Sequence, residues 1–116
     1  AFLISFSATP AVIGFANKIK AIDVPMCIMK NCILALECMD DLKDHASDLV
    51  ISDIGVAASC ARACLESAIL NIFINTSLLD ENQQVRELNQ QANELLDRGI
   101  RIADEVYYNI SSCLEK

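Results

Sequence analysis

Few residues in this chain are placed to do chemistry. Ser52 and Asp53 stand together ahead of an apolar run, Ile54-Gly55-Val56-Ala57-Ala58. A carboxylate beside a hydroxyl can move a proton or steady a developing cation, and the same pair can also cap a helix. Gly55 weakens a first turn by ~1 kcal/mol relative to Ala, and its usual reason is close approach by a backbone or a ligand. Asn71 and Asn75 lie one turn apart on an otherwise apolar helix face. A buried amide left without a hydrogen bond costs ~1–3 kcal/mol, so the pair either ties two helices together or orients a ligand. His45 is the single histidine. Beside Lys43 and Asp44 at a helix end, it reads as a solvated complement to the helix dipole rather than as a base. Cys60 and Cys64 share a helix face, but zinc takes four ligands and no second pair accompanies them, so no metal is expected.

The elements that would position these groups are helical. An apolar stretch over residues 1–8 stops at Thr9-Pro10, and Pro10 suits the first turn of a helix running to about Lys20. Asp23-Val24-Pro25 reads as the next start, with Asp23 as a cap and Pro25 early in the helix. From there Ile28, Cys32, Leu36, Met39 and Leu42 recur three and four apart, which predicts an amphipathic helix to about Ala46. Ser52-Asp53 opens a third helix. Its span, 54–79, carries only Arg62 and Glu66 as charges, four apart, and is expected at the centre of a bundle, covered on several sides. Asp80-Glu81-Asn82 begins a last helix in which Val85, Leu88, Ala92, Leu95, Gly99, Ile102, Val106 and Cys113 keep a heptad-like row that Asn109 interrupts. The expectation is an all-α, up-down helical bundle of about four to five helices, one domain over residues 1–116.

Composition narrows the function classes. The chain has 116 residues, 53% of them hydrophobic and 22% charged, which excludes a disordered tail. Three Gly and two Pro leave little turn chemistry for a many-stranded β-fold. A net charge of -7 lacks the basic footprint of a nucleic-acid binder and does not favour anionic membrane surfaces. No run reads as a membrane span. The six cysteines sit among Ile, Leu, Met and Ala, and the expectation is reduced, buried thiols in an intracellular protein, with Cys32, Cys60 and Cys64 unreactive.

Taken in order, Ala21-Ile22-Asp23-Val24-Pro25, then Ile51-Ser52-Asp53-Ile54-Gly55-Val56-Ala57-Ala58, Ala61-Arg62-Ala63 and Leu70-Asn71-Ile72-Phe73-Ile74-Asn75-Thr76-Ser77-Leu78 resemble the cyclodeaminase/cyclohydrolase family. Its members include the C-terminal domain of formiminotransferase-cyclodeaminase and methenyltetrahydrofolate cyclohydrolases. The likeness covers residues 21–79, and the last helix is similar only in kind. The family's N-terminal glycine-rich stretch has no counterpart here, so the chain is expected to be a C-terminal portion, a shortened homologue, or a sequence lacking an internal stretch.

The resemblance implies folate one-carbon metabolism. The reaction would be cyclisation of formimino-tetrahydrofolate with loss of ammonia, or hydrolysis of methenyl-tetrahydrofolate. A tetrahydrofolate derivative would be the substrate, with no metal, in the cytoplasm. Asp53 would be the catalytic acid/base or the electrostatic partner of the methenyl carbon. Asn71 and Asn75 would orient the substrate, and Ser52 would cap or donate. The competing expectation is a non-catalytic helical interaction module, either a degenerate homologue or a secreted, disulfide-linked bundle. The apolar third helix further predicts a homodimer or higher homo-oligomer, with no nucleic-acid or membrane partner. Asp53 and Asn71 lie on one helix face roughly 27 Å apart, so a shared site would draw them from two antiparallel copies.

Overall fold

The computed structural model describes residues 11–115, and within them the chain makes three long helices: α1 (Ala11–Leu42), α2 (Ile51–Thr76) and α3 (Gln83–Leu114). The class is all-α, as the periodicity predicts, but the described residues hold three helices rather than four to five. The stretch expected before Pro10 lies outside them. They form a flat, elongated body of 59 × 25 × 18 Å, in which α2 packs against both neighbours and α1 meets α3 more sparingly.

The missing boundary is at Pro25. Asp23-Val24-Pro25 does not start a helix; α1 runs through it, with Asp23 and Val24 exposed and Pro25 fully buried. Proline has no N–H for the carbonyl four residues back, here that of Ala21, and costs ~3 kcal/mol in a helix interior. Ile22, Met26, Met29, Ile33 and Leu36 repeat on one face around it, and all are buried in the common core. Burying each such side chain is worth about 1.5–3 kcal/mol, so tertiary packing outweighs the local penalty.

A second difference lies at the start of α2. The helix begins at least two residues earlier than the cap reading places it, with Val50 rather than Ser52 at the N-cap position and no side-chain cap hydrogen bond. Residues 47–50 already form a turn, in which the Val50 and Ile51 amides donate to the Ser47 carbonyl, and this turn feeds α2 directly. Ser52 and Asp53 therefore sit inside the first turn, both exposed. At α3 the expectation holds: Asn82 is the N-cap, and its Oδ1 accepts from the Val85 amide at 3.0 Å.

The glycines fix how the helices approach. A Cβ on Gly55 would stand 3.1 Å from Ile110 Cγ2, so this glycine serves contact with α3 and not a ligand. A Cβ on Gly99 would overlap the Leu65 methyl and stand 2.8 Å from Ile33 Cδ1. At that point all three helices meet. Across the surface, Arg98 pairs with Glu37, and Arg62 pairs with both Glu66 and Asp104. These exposed pairs are screened by solvent and add little to stability.

Contrary to expectation, α2 is not covered on several sides. Its most apolar 18-residue window has a mean hydropathy of 1.4, yet only 28% of it is buried. By length and composition α2 is the one described helix that could cross a membrane, which also corrects the reading that no run qualifies. Its middle, however, carries the Arg62–Glu66 pair and its linked Asp104, ions that hydrocarbon penalises.

Two outcomes follow in denaturant unfolding. Gly99→Val lowers stability by about 1–3 kcal/mol through overpacking, and by clearly less in a Leu65→Ala background, where the space is free. Asn82→Ala costs ~1 kcal/mol, whereas Ser52→Ala stays within about 0.5 kcal/mol because Ser52 caps nothing.

Candidate functional site

The polar residues singled out in the sequence fall at opposite ends of α2. Asn71, Asn75 and the adjoining Thr76 occupy its last turns, while Ser52 and Asp53 occupy the first. At 1.5 Å per residue, Asp53 and Asn71 are separated by roughly 27 Å along one helix. One chain brings the two asparagines together but does not bring Asp53 to them.

Asn75 is fully buried. Its Nδ2 donates to the Asn71 carbonyl at 2.7 Å, while its Oδ1 has no partner among the described residues. An unpaired buried acceptor of this kind carries a penalty of ~1–3 kcal/mol. Asn71, by contrast, is exposed.

On the α3 side of the same end, the buried Thr76 hydroxyl donates to Asn89 Oδ1 at 2.8 Å. Both residues line a cleft of about 340 Å³ together with Phe73, Leu79, Glu81 and Arg86. Asn75 does not line this cleft. The sequence reading missed Thr76, Asn89 and Arg86. Asn89 had a legible signal, since it follows Val85 by four residues and precedes Ala92 by three, an amide within the apolar row of α3.

The Asp53 end of the molecule has its own cleft, about 350 Å³, between the end of α1 and the end of α3. Lys43, Asp44, Asn109 and Ser112 line it; Ser52 and Asp53 do not. Lys43 closes α1 by donating to the Asp40 carbonyl and carboxylate, at 3.0 and 2.8 Å. The hydrogen bond to the Asp40 carboxylate is the main reason its ammonium pKa lies above the usual lysine value. His45 is exposed in the α1–α2 connection.

All six cysteines are free. Cys27, Cys38, Cys60, Cys64 and Cys113 are exposed and Cys32 is half-buried, which corrects the expectation of buried thiols. For Cys60 and Cys64 the reason is the uncovered side of α2. Cys32 of α1 shares a hydrogen bond with Cys64 of α2, and burial, helped by that contact, pushes the Cys32 thiol up to about 11. Among the described residues, no three His, Cys, Asp or Glu side chains converge as metal ligands.

With this geometry in place, the comparisons with known proteins can be set beside it. The formiminotransferase-cyclodeaminase family profile matches residues 16–94, which takes in most of α1, all of α2 and the first turns of α3. A methenyltetrahydrofolate cyclohydrolase from Methylorubrum extorquens is 29% identical over 92 residues, which are 79% of this chain and 44% of that relative. The chain thus spans about half the length of the curated relative it matches. No solved structure matches it. The family match covers both ends of α2 and the Asn71–Asn75 pair, and the chain belongs to the formiminotransferase-cyclodeaminase family.

Proposed function

We propose that this chain acts on a tetrahydrofolate derivative in cytoplasmic one-carbon metabolism, as a cyclohydrolase-like or cyclodeaminase-like domain without a metal. The observation that carries the reading is the family match over residues 16–94, which takes in Asp53, Asn71 and Asn75. A pterin ring presents N–H and amino donors, which the exposed Asn71 amide is free to accept. The name of the similar bacterial cyclohydrolase and the family membership support the same substrate class.

Both candidate reactions share one reacting centre. In the hydrolysis, water adds to the cationic methenyl carbon, a ring C–N bond opens, and a proton is released to leave the formyl derivative. In the deamination, the neighbouring amine nitrogen attacks the carbon of the protonated formimino group, and the C–N bond to the outer nitrogen breaks as that nitrogen leaves as ammonia with the amine's proton, giving the methenyl cation. Each reaction needs a carboxylate near that carbon and an amide to hold the ring. Asp53, exposed in the first turn of α2, is the carboxylate in this reading, with Ser52 beside it as a hydrogen-bond donor. Asn71 and Asn75 are the amides. Hydrolysis is preferred over deamination because the curated relative is named for it.

The test is calorimetric titration with a stable reduced folate, followed by the decay of methenyl-tetrahydrofolate absorbance. Binding is expected, and Asn71→Ala should weaken it at least tenfold, the loss of ~1.4 kcal/mol. Asp53→Asn should bind normally yet lose turnover, with the fold intact by circular dichroism. Absence of folate binding by the folded wild-type chain would overturn the reading.

A further inference from the structure

Two of the free thiols meet across the α1–α2 seam, and the folate reading uses neither. Cys32 and Cys64 each stand one residue before the side chain that their helix sends to the glycine junction, Ile33 from α1 and Leu65 from α2. The two thiols therefore lie at one level of the bundle, beside its tightest point, and they share a hydrogen bond. Small residues let the helices close here. Ala61 and Ala68, three before and four after Cys64, are both buried in the core. The pair is also within reach of solvent, since Cys64 is exposed and Cys32 half-buried.

Helix geometry sets this pair apart from the other cysteines. Cys60 and Cys64 lie four apart on α2, where Cβ atoms are ~5–6 Å from each other, beyond the ~3.5–4.5 Å that a disulfide spans. Cys27 and Cys38, five and six residues from Cys32 on α1, are turned about 120–140° round the helix from it. Cys113 is exposed in the last turn of α3. We propose that Cys32 and Cys64 are a reversible modification site, a dithiol that small disulfides such as oxidised glutathione convert to an internal disulfide joining α1 to α2.

The reaction takes two exchange steps. Cys64, the exposed thiol, loses its proton to solvent and attacks one sulfur of oxidised glutathione. The small S–S bond breaks, one glutathione leaves and takes up a proton, and Cys64 keeps the other in a mixed disulfide. Cys32 then gives up its proton and attacks Cys64 Sγ, and the second glutathione leaves as a thiol. Two protein thiols are oxidised, one small disulfide is reduced to two thiols, and the protons balance. Burial decides the order. It holds the Cys32 thiol at about 11, so little of it is thiolate at neutral pH and it is the poorer first attacker. Once Cys64 carries the mixed disulfide, the target sulfur already lies against Cys32, and the second step is intramolecular. The bond closes residues 32–64 into a loop, removing conformations from the unfolded chain. It also ties the half of α1 after Pro25 to α2 at the level where Gly99 already sets their closeness.

The test is a peptide map of the folded chain after treatment with oxidised glutathione, digested with trypsin without reduction. Cleavage after Lys30, Lys43, Arg62 and Arg86 puts Cys32 and Cys38 on residues 31–43, Cys60 on 44–62 and Cys64 on 63–86. The expected product is 31–43 linked to 63–86, from a species that runs as a single chain on a non-reducing denaturing gel. Cys38→Ser should keep the link, which assigns it to Cys32. Cys32→Ser should lose it and leave one glutathione on Cys64, with helicity unchanged by circular dichroism. Cys64→Ser, at an exposed position, should lose the link as well. The oxidised wild type should melt about 10 °C above the reduced form, and dithiothreitol should reverse the shift. Glutathione retained on Cys64 of the wild type without an internal link, a link that survives Cys32→Ser or Cys64→Ser, a link made only in denaturant, or a linked chain that melts no higher overturns the proposal. None of these outcomes depends on folate binding.

Discussion

The contact of Gly99 with Leu65 and Ile33 is the constraint on which the bundle depends. At this one level α3 has no side chain, and α2 and α1 each fill the space with a branched apolar group. Leu65 is wholly buried and Ile33 nearly so. Everything on either side follows from that closeness. Ala92 and Ala103 keep α3 near its neighbours above and below it, and Gly55 repeats the device against Ile110 near the far end. Three helices of this length need such a point, because a long two-sided contact without it can slide by a turn at modest cost.

The same arrangement explains why the polar residues of α2 end up where they do. With one face of α2 committed to α1 and α3, the end of the helix is enclosed while its outer stripe is not. Asn75 is therefore sealed from water with half of its amide unmatched, and Asn71, one turn earlier, faces out. Asp53 stays in solvent at the positive end of the helix, where its charge is favoured whether or not a substrate arrives. The site is thus divided by the length of a helix, a division no rotation of side chains within one chain can close.

Much of this was legible from the residue pattern, for identifiable reasons. The row from Val85 to Val106 keeps its spacing of three and four, and α3 appears where that row places it, capped by Asn82. The all-α class followed from periodicity alone. What was not legible was decided by tertiary packing. Pro25 is a strong local signal, yet it was overruled by the buried residues on its own helix face. Ser52-Asp53 has the composition of a cap, yet the turn over residues 47–50 supplies the start of α2 instead. The exposure of Cys60 and Cys64 could not be read at all, because an apolar helix looks the same whether two or three of its sides are covered. For the site, both asparagines were visible as amides in an apolar stretch, but only the structure distinguishes the buried one from the exposed one.

Pro25 has one more effect on α1. A helix is cooperative because each hydrogen bond makes the next easier, and an interruption in the ladder weakens that communication. The carbonyl of Ala21 receives no amide proton from position 25, so α1 is continuous in shape but segmented in cooperativity. The half after Pro25, with Met29, Ile33 and Leu36 in the core, is anchored at the glycine junction. The half before it is held by its own packing, with Lys18 reaching across to the Leu78 carbonyl. The leading half can thus open without melting the trailing half.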